Sequence, residues 1–421
     1  MDGAPINLHD VVAPSRAPVP PHRTVMVLPE SQLQGIHCGP RGDHYGGLPS
    51  PLRSDLFARQ ASLAPRLFVF PMKSFWSRLL SLRLLLWAVC LPVMAITAAA
   101  DATAPKPLYR DPVYDGAADP VVIWNPAVQR WWMFYTNRRA NMPELSGVAW
   151  VHGTPIGIAE SADGGVTWKY TGDADIKLPA GMTTEPRTLW APDVFRAPDG
   201  VYHMFLTVVP GVFEDWNHPR TLVHLTSCDL RTWDNAQPLT LASDRVIDAA
   251  VRQLPDGTWR MWYNNERDHK AIYYADSPDL VTWTDHGKCQ GTSERPGEGP
   301  YIFDFGGKTW MLVDVWKGIG VYHSKDLLNW TVQSTDLLKE PGRGADDDAF
   351  GHHVGVVVND GRAWCFYFVH PKKPGSVVDG KGNPVVERRS SIQVVELFVR
   401  DGTLTADRDA PVTIKLVPPA K

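Results

Sequence analysis

The stretch that decides the fold reads IDAAVRQL (247–254), then Asp256-Gly257, then TWRMWYN (258–264) and IYYADSPDLVTW (272–283). An Asp-Gly pair between two runs rich in Val, Ile, Tyr and Trp predicts an antiparallel hairpin with a tight turn. The third run continues the sheet and closes the copy with a tryptophan. Closing tryptophans recur at Trp168, Trp233, Trp283 and Trp330, a spacing of about one four-stranded blade. The stretch therefore predicts a four-stranded antiparallel meander.

The same order of features recurs along the chain. Four further copies begin at ADPVVIW (118–124), APDVF (191–195), EGPYIF (298–303) and GHHVGVVV (351–358). Repeats of this length, each a complete meander, are typical of propeller blades. The sequence predicts an all-β fold, a five-bladed β-propeller of four-stranded antiparallel blades. We expect KPLYR (106–110) to supply an outer strand that closes the ring against the last blade.

Composition is that of an ordinary globular protein, with 44% hydrophobic and 21% charged residues among 421. This excludes a disordered chain or a membrane protein with many spans. The net charge of −4 offers no general attraction for nucleic acid, so none is expected as a partner. The 17 tryptophans favour a Trp-rich β architecture and stacking on sugars.

The first hundred residues do not fit the repeat. Residues 1–71 are rich in Pro and Arg and are interpreted as a disordered extension or a misassigned start. Residues 72–100 contain basic residues, the apolar run LLLWAVCLPVMAI (84–96) and small residues before Asp101, which predicts a signal peptide. The predicted domain is 101–421, secreted or periplasmic, with no membrane attachment after cleavage. It contains three cysteines, so at least one buried free thiol is expected.

Acids and histidines begin the first strand of each copy. In a propeller the first strands line the central channel, so these residues are predicted to meet at one end of it. They are Asp119, Asp193, Asp248, Glu298 and the pair His352-His353. A cluster of carboxyl groups suits cleavage of a glycosidic bond, because one group must donate a proton while another activates water. A cluster that merely binds an ion or caps strand ends is the alternative.

The strand-start motifs together resemble those of glycoside hydrolase family 43 and its five-bladed relatives, including family 117. The motifs are AADP (117–120), WAPDVF (190–195), VIDAAV (246–251), GEGPYIF (297–303) and GHH (351–353). The blade endings SCDLRTW, SPDLVTW and SKDLLNW are also frequent in that superfamily. The likeness spans essentially the whole of 101–421.

The resemblance implies a role for each strand-start acid. Asp119 would be the general base, Glu298 the general acid, and Asp248 the residue that tunes and orients the acid. Asp193 would support substrate binding. The position of Asp248 departs from the family, since IDA stands where IDP is usual, and Asp115 is a rival base.

For the tandem His352 and His353, the resemblance implies that one faces the channel and helps to hold substrate, water or a metal ion. No cofactor is expected to be required, although Ca²⁺ or another ion in the channel is compatible with the motifs. Trp190 and Trp316 are candidate sugar platforms. The segments 137–155, 170–189 and 208–221 are expected to form the pocket walls.

The predicted function is hydrolysis of plant or algal oligosaccharides or polysaccharides by an inverting mechanism. Retaining propeller families carry NDP, RDP and ECP motifs that are absent at the corresponding strands here. The partner is a neutral glycan of arabinofuranoside, xyloside or galactoside type, and the protein is expected to be a monomer. A propeller phosphorylase and a non-catalytic sugar-binding propeller remain as alternatives.

Overall fold

The structure is a computed structural model that describes residues 102–292, 294–371 and 388–419. The predicted extension (1–71) and signal peptide (72–100) lie outside the described residues. In the described ranges, no helix has the length and apolar character needed to cross a membrane. A short 3-10 turn occupies Ala149–Val151.

Five antiparallel sheets make up the fold, which confirms the predicted five-bladed propeller. Blade one contains β1 (Ala117–Asn125), β2 (Arg130–Asn137), β3 (Ile156–Ser161) and β4 (Lys169–Asp173). Blade two contains β5 (Asp175–Ile176), β6 (Thr188–Arg196), β7 (Tyr202–Val209), β8 (Thr221–Ser227) and β9 (Thr232–Pro238). Blade three contains β10 (Val246–Gln253), β11 (Trp259–Asn265), β12 (Ala271–Ser277) and β13 (Thr284–Lys288).

The last two blades repeat this arrangement. Blade four contains β14 (Glu298–Phe305), β15 (Lys308–Asp314), β16 (Ile319–Ser324) and β17 (Trp330–Val332). Blade five contains β18 (Gly351–Asn359), β19 (Arg362–Val369), β20 (Ser391–Arg400) and β21 (Thr403–Ala406). Four blades have four strands in chain order, and blade two gains β5, which pairs in parallel with β9.

Local turn chemistry explains why each repeat folds as a meander. In blade five the turn residues Asp360 and Gly361 have φ values of 50° and 72°, the left-handed conformation that a two-residue hairpin requires. The blade-ending motif closes another turn: Leu230 N–H donates to Ser227 Oγ at 2.9 Å, and Trp233 Nε1 donates to Leu230 O at 3.1 Å. These residues act within a few positions of one another, so the sequence alone can specify them.

The hydrophobic core lies between neighbouring blades. Phe134 of blade one packs edge-to-face with Trp233 of blade two, and Phe205 of blade two packs in the same way with Trp283 of blade three. Equivalent clusters join blades three and four, four and five, and five and one. Cys289 and Cys365 are buried free thiols, which agrees with the expectation of at least one buried free thiol.

Both ends of the propeller chain meet where blade five adjoins blade one. Ala104 N–H donates to Val412 O at 2.8 Å, and Leu416 packs into the cluster shared by the two blades. KPLYR contributes a single bridge, Tyr109 to Ile392, because β21 already forms the outer strand of blade five. The predicted location of this segment was right, but it does not supply a whole strand.

Candidate active site

A β-bulge marks the same point near the start of every first strand. Asp119, Ala191, Asp248 and Gly299 all have positive φ, between 43° and 58°, and each begins a break in the strand register. In blade five the extra residue is His353. Non-glycine residues rarely adopt this conformation, and bulges that aim side chains are common beside functional sites. These five residues are therefore structurally equivalent.

Two of the strand-start acids, Glu298 and Asp193, do not occupy this equivalent position. Glu298 stands one residue before the bulge of its blade. The residues at the corresponding position are Trp190 in blade two and His352 in blade five. Asp193 follows the bulge of its blade by two residues. The sequence showed acids near each strand start but carried no signal for where the bulge falls.

One cavity of about 740 Å³ opens at the end of the channel where the first strands begin. It contains every predicted site residue except Asp193: Asp119, Asp248, Glu298, Trp190, Trp316, His352 and His353. Further lining residues are Arg138, Trp150, Val151, Trp216, Arg220, Arg245, Ile247, Glu266, Lys270, Asp314, Phe368 and His370. The segments 137–155 and 208–221 contribute to this wall as predicted, whereas 170–189 does not.

Asp193 does not line the cavity, so its predicted role in substrate binding is corrected. Its Oδ2 accepts a hydrogen bond of 2.7 Å from Val251 N of the next blade. Burial raises the pKa of Asp193 to about 7, although backbone hydrogen bonds oppose the shift. The two-residue offset from Ala191 carries the side chain past the pocket, where it links blades two and three.

At the floor of the cavity, His353 lies between two carboxyl groups. Its Nδ1 is 3.4 Å from Asp119 Oδ1 and 3.9 Å from Asp248 Oδ2. The Arg138 guanidinium pairs with Asp119 through Nη2, at 3.2 and 3.3 Å from the two oxygens. A Cβ added at Gly299 would come within 2.8 Å of the His353 ring, so glycine is required beneath the imidazole.

Asp248 is joined to the strand that carries Glu298. Its Oδ2 accepts a hydrogen bond of 3.1 Å from Gly299 N, the residue after Glu298. Its own backbone N–H donates to Thr207 Oγ1 of the previous blade at 3.1 Å. Burial raises the pKa of Asp248 to about 7; the charge of His353 opposes this shift, and those of Glu298 and Asp119 add to it. Asp248 and Glu298 therefore interact electrostatically as well as through the backbone.

A chain of ion pairs leads from Glu298 into the wall. Lys270 Nζ lies 3.0 Å from Glu298 Oε2 and 3.0 Å from Glu266 Oε1. Glu266 also pairs with the buried guanidinium of Arg220. Burial lowers the pKa of Arg220, while the charge of Glu266 acts in the opposite direction. Lys270 thus holds the Glu298 carboxylate at the pocket wall.

The tandem histidines have different surroundings. His353 faces the channel, whereas His352 stacks on Phe368 with ring centroids 5.2 Å apart and its Nδ1 is 3.1 Å from Asp314 Oδ2. The same Asp314 oxygen accepts the His353 backbone N–H at 3.0 Å. Burial acts to raise the pKa of Asp314, but the hydrogen bonds and the charge of His352 lower it overall.

The predicted sugar platforms differ in exposure. Trp190 is 8% exposed, donates from Nε1 to Val151 O at 2.6 Å and has the Arg220 guanidinium over its ring at 5.2 Å. Trp316 is 36% exposed at the pocket, with Lys270 Nζ 5.1 Å from its ring centroid. Trp216, which the sequence did not single out, is 53% exposed. Trp316 and Trp216 therefore offer more open surface than Trp190.

Several lining residues were missed although a signal for them existed. In an antiparallel hairpin, the end of the second strand lies beside the start of the first. Arg138, Glu266 and His370 each directly follow a second strand, and Asp314 ends one. Lys270 directly precedes a third strand at the same end of its blade. Extending the search to these positions would have found them.

The predicted metal site at His352 or His353 stays a prediction. Among the described residues, no group of three or more His, Cys, Asp or Glu side chains is arranged to hold a metal ion.

Solved structures show the same architecture. A thermostable family-43 glycoside hydrolase superposes with a TM-score of 0.51 and 18% identity over 74% of this chain and 98% of its own. A variant of the GH43 protein BlXynB from Bacillus licheniformis gives 0.50 and 17% over 74% of this chain and 60% of its own. No protein-family model and no curated protein matches the sequence. The chain therefore has the five-bladed β-propeller fold of glycoside hydrolase family 43.

Proposed function

We propose that this protein is a glycoside hydrolase that cleaves plant or algal oligosaccharides or polysaccharides. The observation that carries the proposal is the meeting of Asp119, Asp248 and Glu298 in one cavity at the end of the channel. These residues are far apart in sequence and come from blades one, three and four. Carboxyl groups in a shared pocket are the groups that glycosidic cleavage requires.

In the proposed mechanism Asp119 is the general base and activates a water molecule. Arg138 and His353 orient its carboxylate through the contacts described above. Glu298 is the general acid and protonates the leaving oxygen as the glycosidic bond breaks. Asp248 orients Glu298 by accepting a hydrogen bond from Gly299 N, the next residue in the chain. Its carboxyl group also interacts electrostatically with that of Glu298, whose charge helps to raise the pKa of Asp248.

Lys270 connects the proposed acid to a candidate sugar platform. Its Nζ lies 3.0 Å from Glu298 Oε2 and 5.1 Å from the centroid of the Trp316 ring. A sugar stacked on this face of Trp316 would compete with Lys270 for the ring and so change the contact between Lys270 and Glu298.

The strand-start motifs favour inversion of configuration. An inverting enzyme needs its two carboxyl groups about 6.5–9.5 Å apart so that water fits between base and sugar, and a retaining enzyme about 5–5.5 Å. We propose the inverting geometry for Asp119 and Glu298.

The two alternative functions have less support. A phosphorylase needs a basic pocket for phosphate. Four Arg and Lys side chains line the cavity; Arg138, Arg220 and Lys270 each pair with a carboxylate, and Arg245 has none among the described residues. A non-catalytic sugar-binding propeller would have no need for the three carboxyl groups.

The test is a hydrolysis screen of the full chain on aryl glycosides and on arabino-, xylo- and galacto-oligosaccharides, with and without phosphate and a chelator. We expect hydrolysis without phosphate, abolished in Asp119→Asn and retained in Asp256→Asn, a turn residue outside the cavity. Activity that requires phosphate would indicate a phosphorylase, and binding without turnover a sugar-binding protein. Loss of activity with chelator alone would indicate a required ion.

We further propose that the protein is exported and acts as a monomer outside the cytoplasm. The support is the signal-peptide pattern of residues 72–100. N-terminal sequencing of protein recovered from the medium or periplasm is expected to begin at Asp101. Light scattering on the purified protein tests the oligomeric state.

A further inference from the structure

Two arginines lie side by side on one wall of the cavity, both bonded to the loop between β7 and β8. Arg220 Nη2 donates to Trp216 O at 2.6 Å, and Arg245 Nη2 donates to the same oxygen at 3.2 Å. Arg245 Nε also donates to His218 O at 3.2 Å. Both residues line the cavity next to Trp216, Arg220 with a buried side chain and Arg245 with a half-buried one.

The positive charge of this wall is only partly neutralised. Glu266 pairs with both Arg220 and Lys270, and Lys270 also pairs with Glu298. Arg245 forms no ion pair with any residue that the structure describes, and its hydrogen bonds go to neutral oxygens. The adjacent Asp244 pairs instead with Arg267, which donates two hydrogen bonds to its carboxylate at 2.7 and 2.9 Å. Arg245 is thus a cation in the pocket without a carboxylate of its own.

A stacking surface stands beside this charge. Trp216 is 53% exposed and lines the same cavity as Arg245. Its ring centroid lies 6.2 Å from those of Trp190 and His152, both at tilted angles, and more than half of the side chain stays exposed. An exposed indole next to a guanidinium suits a sugar ring that carries an anionic group, since the ring stacks and the anion takes a charge-assisted hydrogen bond.

We propose that the pocket selects a glycan with an anionic substituent, a uronate carboxylate or a sulfate ester, which Arg245 binds while the sugar stacks on Trp216. This inference rests on the proposed function and changes its substrate class from the neutral glycan expected from net charge. Net charge is a property of the whole chain, whereas selectivity depends on the few charges in the cavity.

The first experiment measures binding to the wild-type full chain by stopped-flow tryptophan fluorescence, before turnover. The probes are uronate-bearing oligosaccharides from glucuronoxylan, sulfated oligosaccharides from carrageenan, and the carboxyl-reduced and desulfated forms of each. We expect at least one anionic probe to bind about 10- to 100-fold more tightly than its neutral form, the scale of a hydrogen bond to a charged group. Comparison of the uronate-bearing probes with the sulfated probes shows whether the pocket prefers a carboxylate or a sulfate.

Variants then separate recognition from a structural role. Arg245→Gln is expected to lose most of that preference while binding the neutral form within about twofold of wild type. Arg252→Gln, in the same blade but outside the cavity and paired with Asp304, is the matched control and should change neither affinity. If Arg245→Gln does not fold, the test is instead the salt dependence of probe binding to the wild-type protein. Only the anionic probe should weaken as ionic strength rises from about 0.01 M to about 1 M.

Three binding results would overturn the inference: no anionic probe binds, the neutral forms bind as tightly, or Arg245→Gln weakens both forms equally. The third result would mean that Arg245 only stabilises the loop between β7 and β8. Acceleration of cleavage by inorganic phosphate would assign the arginine to a phosphate co-substrate and would also overturn it. Selective binding without hydrolysis of any glycan would contradict the proposed function and leave anion recognition standing.

Discussion

Replacing Asp347 by asparagine tests how the ring of blades is closed. Asp347 is completely buried and accepts from Lys106 Nζ at 3.0 Å, from Arg408 and from the Tyr367 hydroxyl at 3.1 Å. Lys106 precedes blade one, Arg408 follows the last strand of blade five, and Asp347 lies in the loop that leads into blade five. One carboxylate therefore ties both ends of the propeller to the body of the ring.

The structure sets the size of the effect. Removing one partner of a buried ion pair costs about 3–5 kcal/mol, because the remaining charges stay buried without compensation. Here the two cations keep other acceptors: Arg408 donates to the carbonyls of Leu338, Glu340 and Ala349, and Lys106 to that of Arg408. We therefore expect Asp347→Asn to cost about 3 kcal/mol, a large part of the usual 5–15 kcal/mol of a folded protein.

The assay is urea unfolding followed by tryptophan fluorescence. Asp409→Asn is the matched control, because Asp409 pairs with Arg343, whose side chain is 85% exposed, and exposed pairs contribute less than about 1 kcal/mol. If the two variants lose the same small amount of stability, the buried cluster does not close the ring. A large loss with an unchanged denaturant slope supports the reasoning.

The remaining predictions concern the pocket and the core. Glu298→Gln should slow cleavage of a poor leaving group by about a hundredfold and affect an activated aryl substrate much less; equal losses would reject the acid role. Proton NMR during hydrolysis should show the inverted anomer first, and a retained anomer would remove the base role. Gly299→Ala should displace His353 and cost at least about tenfold in activity, because the new Cβ clashes with the imidazole at positive φ; unchanged kcat would contradict this. Burial lowers the pKa of His224 to about 3 and lowers that of its partner His203. The unfolded chain therefore binds more protons, so the free energy of unfolding should fall as pH drops from about 6.5 towards 3, and less so in His224→Phe.

The number and type of blades could be predicted from sequence because a blade is a local structure. The turn at Asp360-Gly361 and the Ser227-to-Trp233 motif use residues a few positions apart. The alternation of apolar and aromatic residues around them specifies strands without knowledge of the rest of the chain. Because the strands can be recognised locally, Asp119, Asp248 and Glu298 could be recognised as acids at the starts of strands.

The bulges could not be predicted, and they decide which side chains reach the pocket. Side chains alternate along a strand, so one inserted residue changes which of them face the channel. Ala191 rather than Asp193 occupies the equivalent position in blade two, and Glu298 stands one residue before it in blade four. The bulge is stabilised from outside its own strand, as when Asp248 N–H bonds to Thr207 of the previous blade.

The sequence by itself therefore determined the five meanders, the end of the channel that holds the site and most of the carboxyl groups in it. Only the tertiary structure decided which acids share the cavity, which histidine faces the channel, and that Lys270, Arg220 and Arg245 bring positive charge to it. The physical reason is the range of the interactions. Turns and strands depend on neighbours in sequence, whereas bulge register and ion pairing depend on contacts between blades, which exist only once the ring has closed.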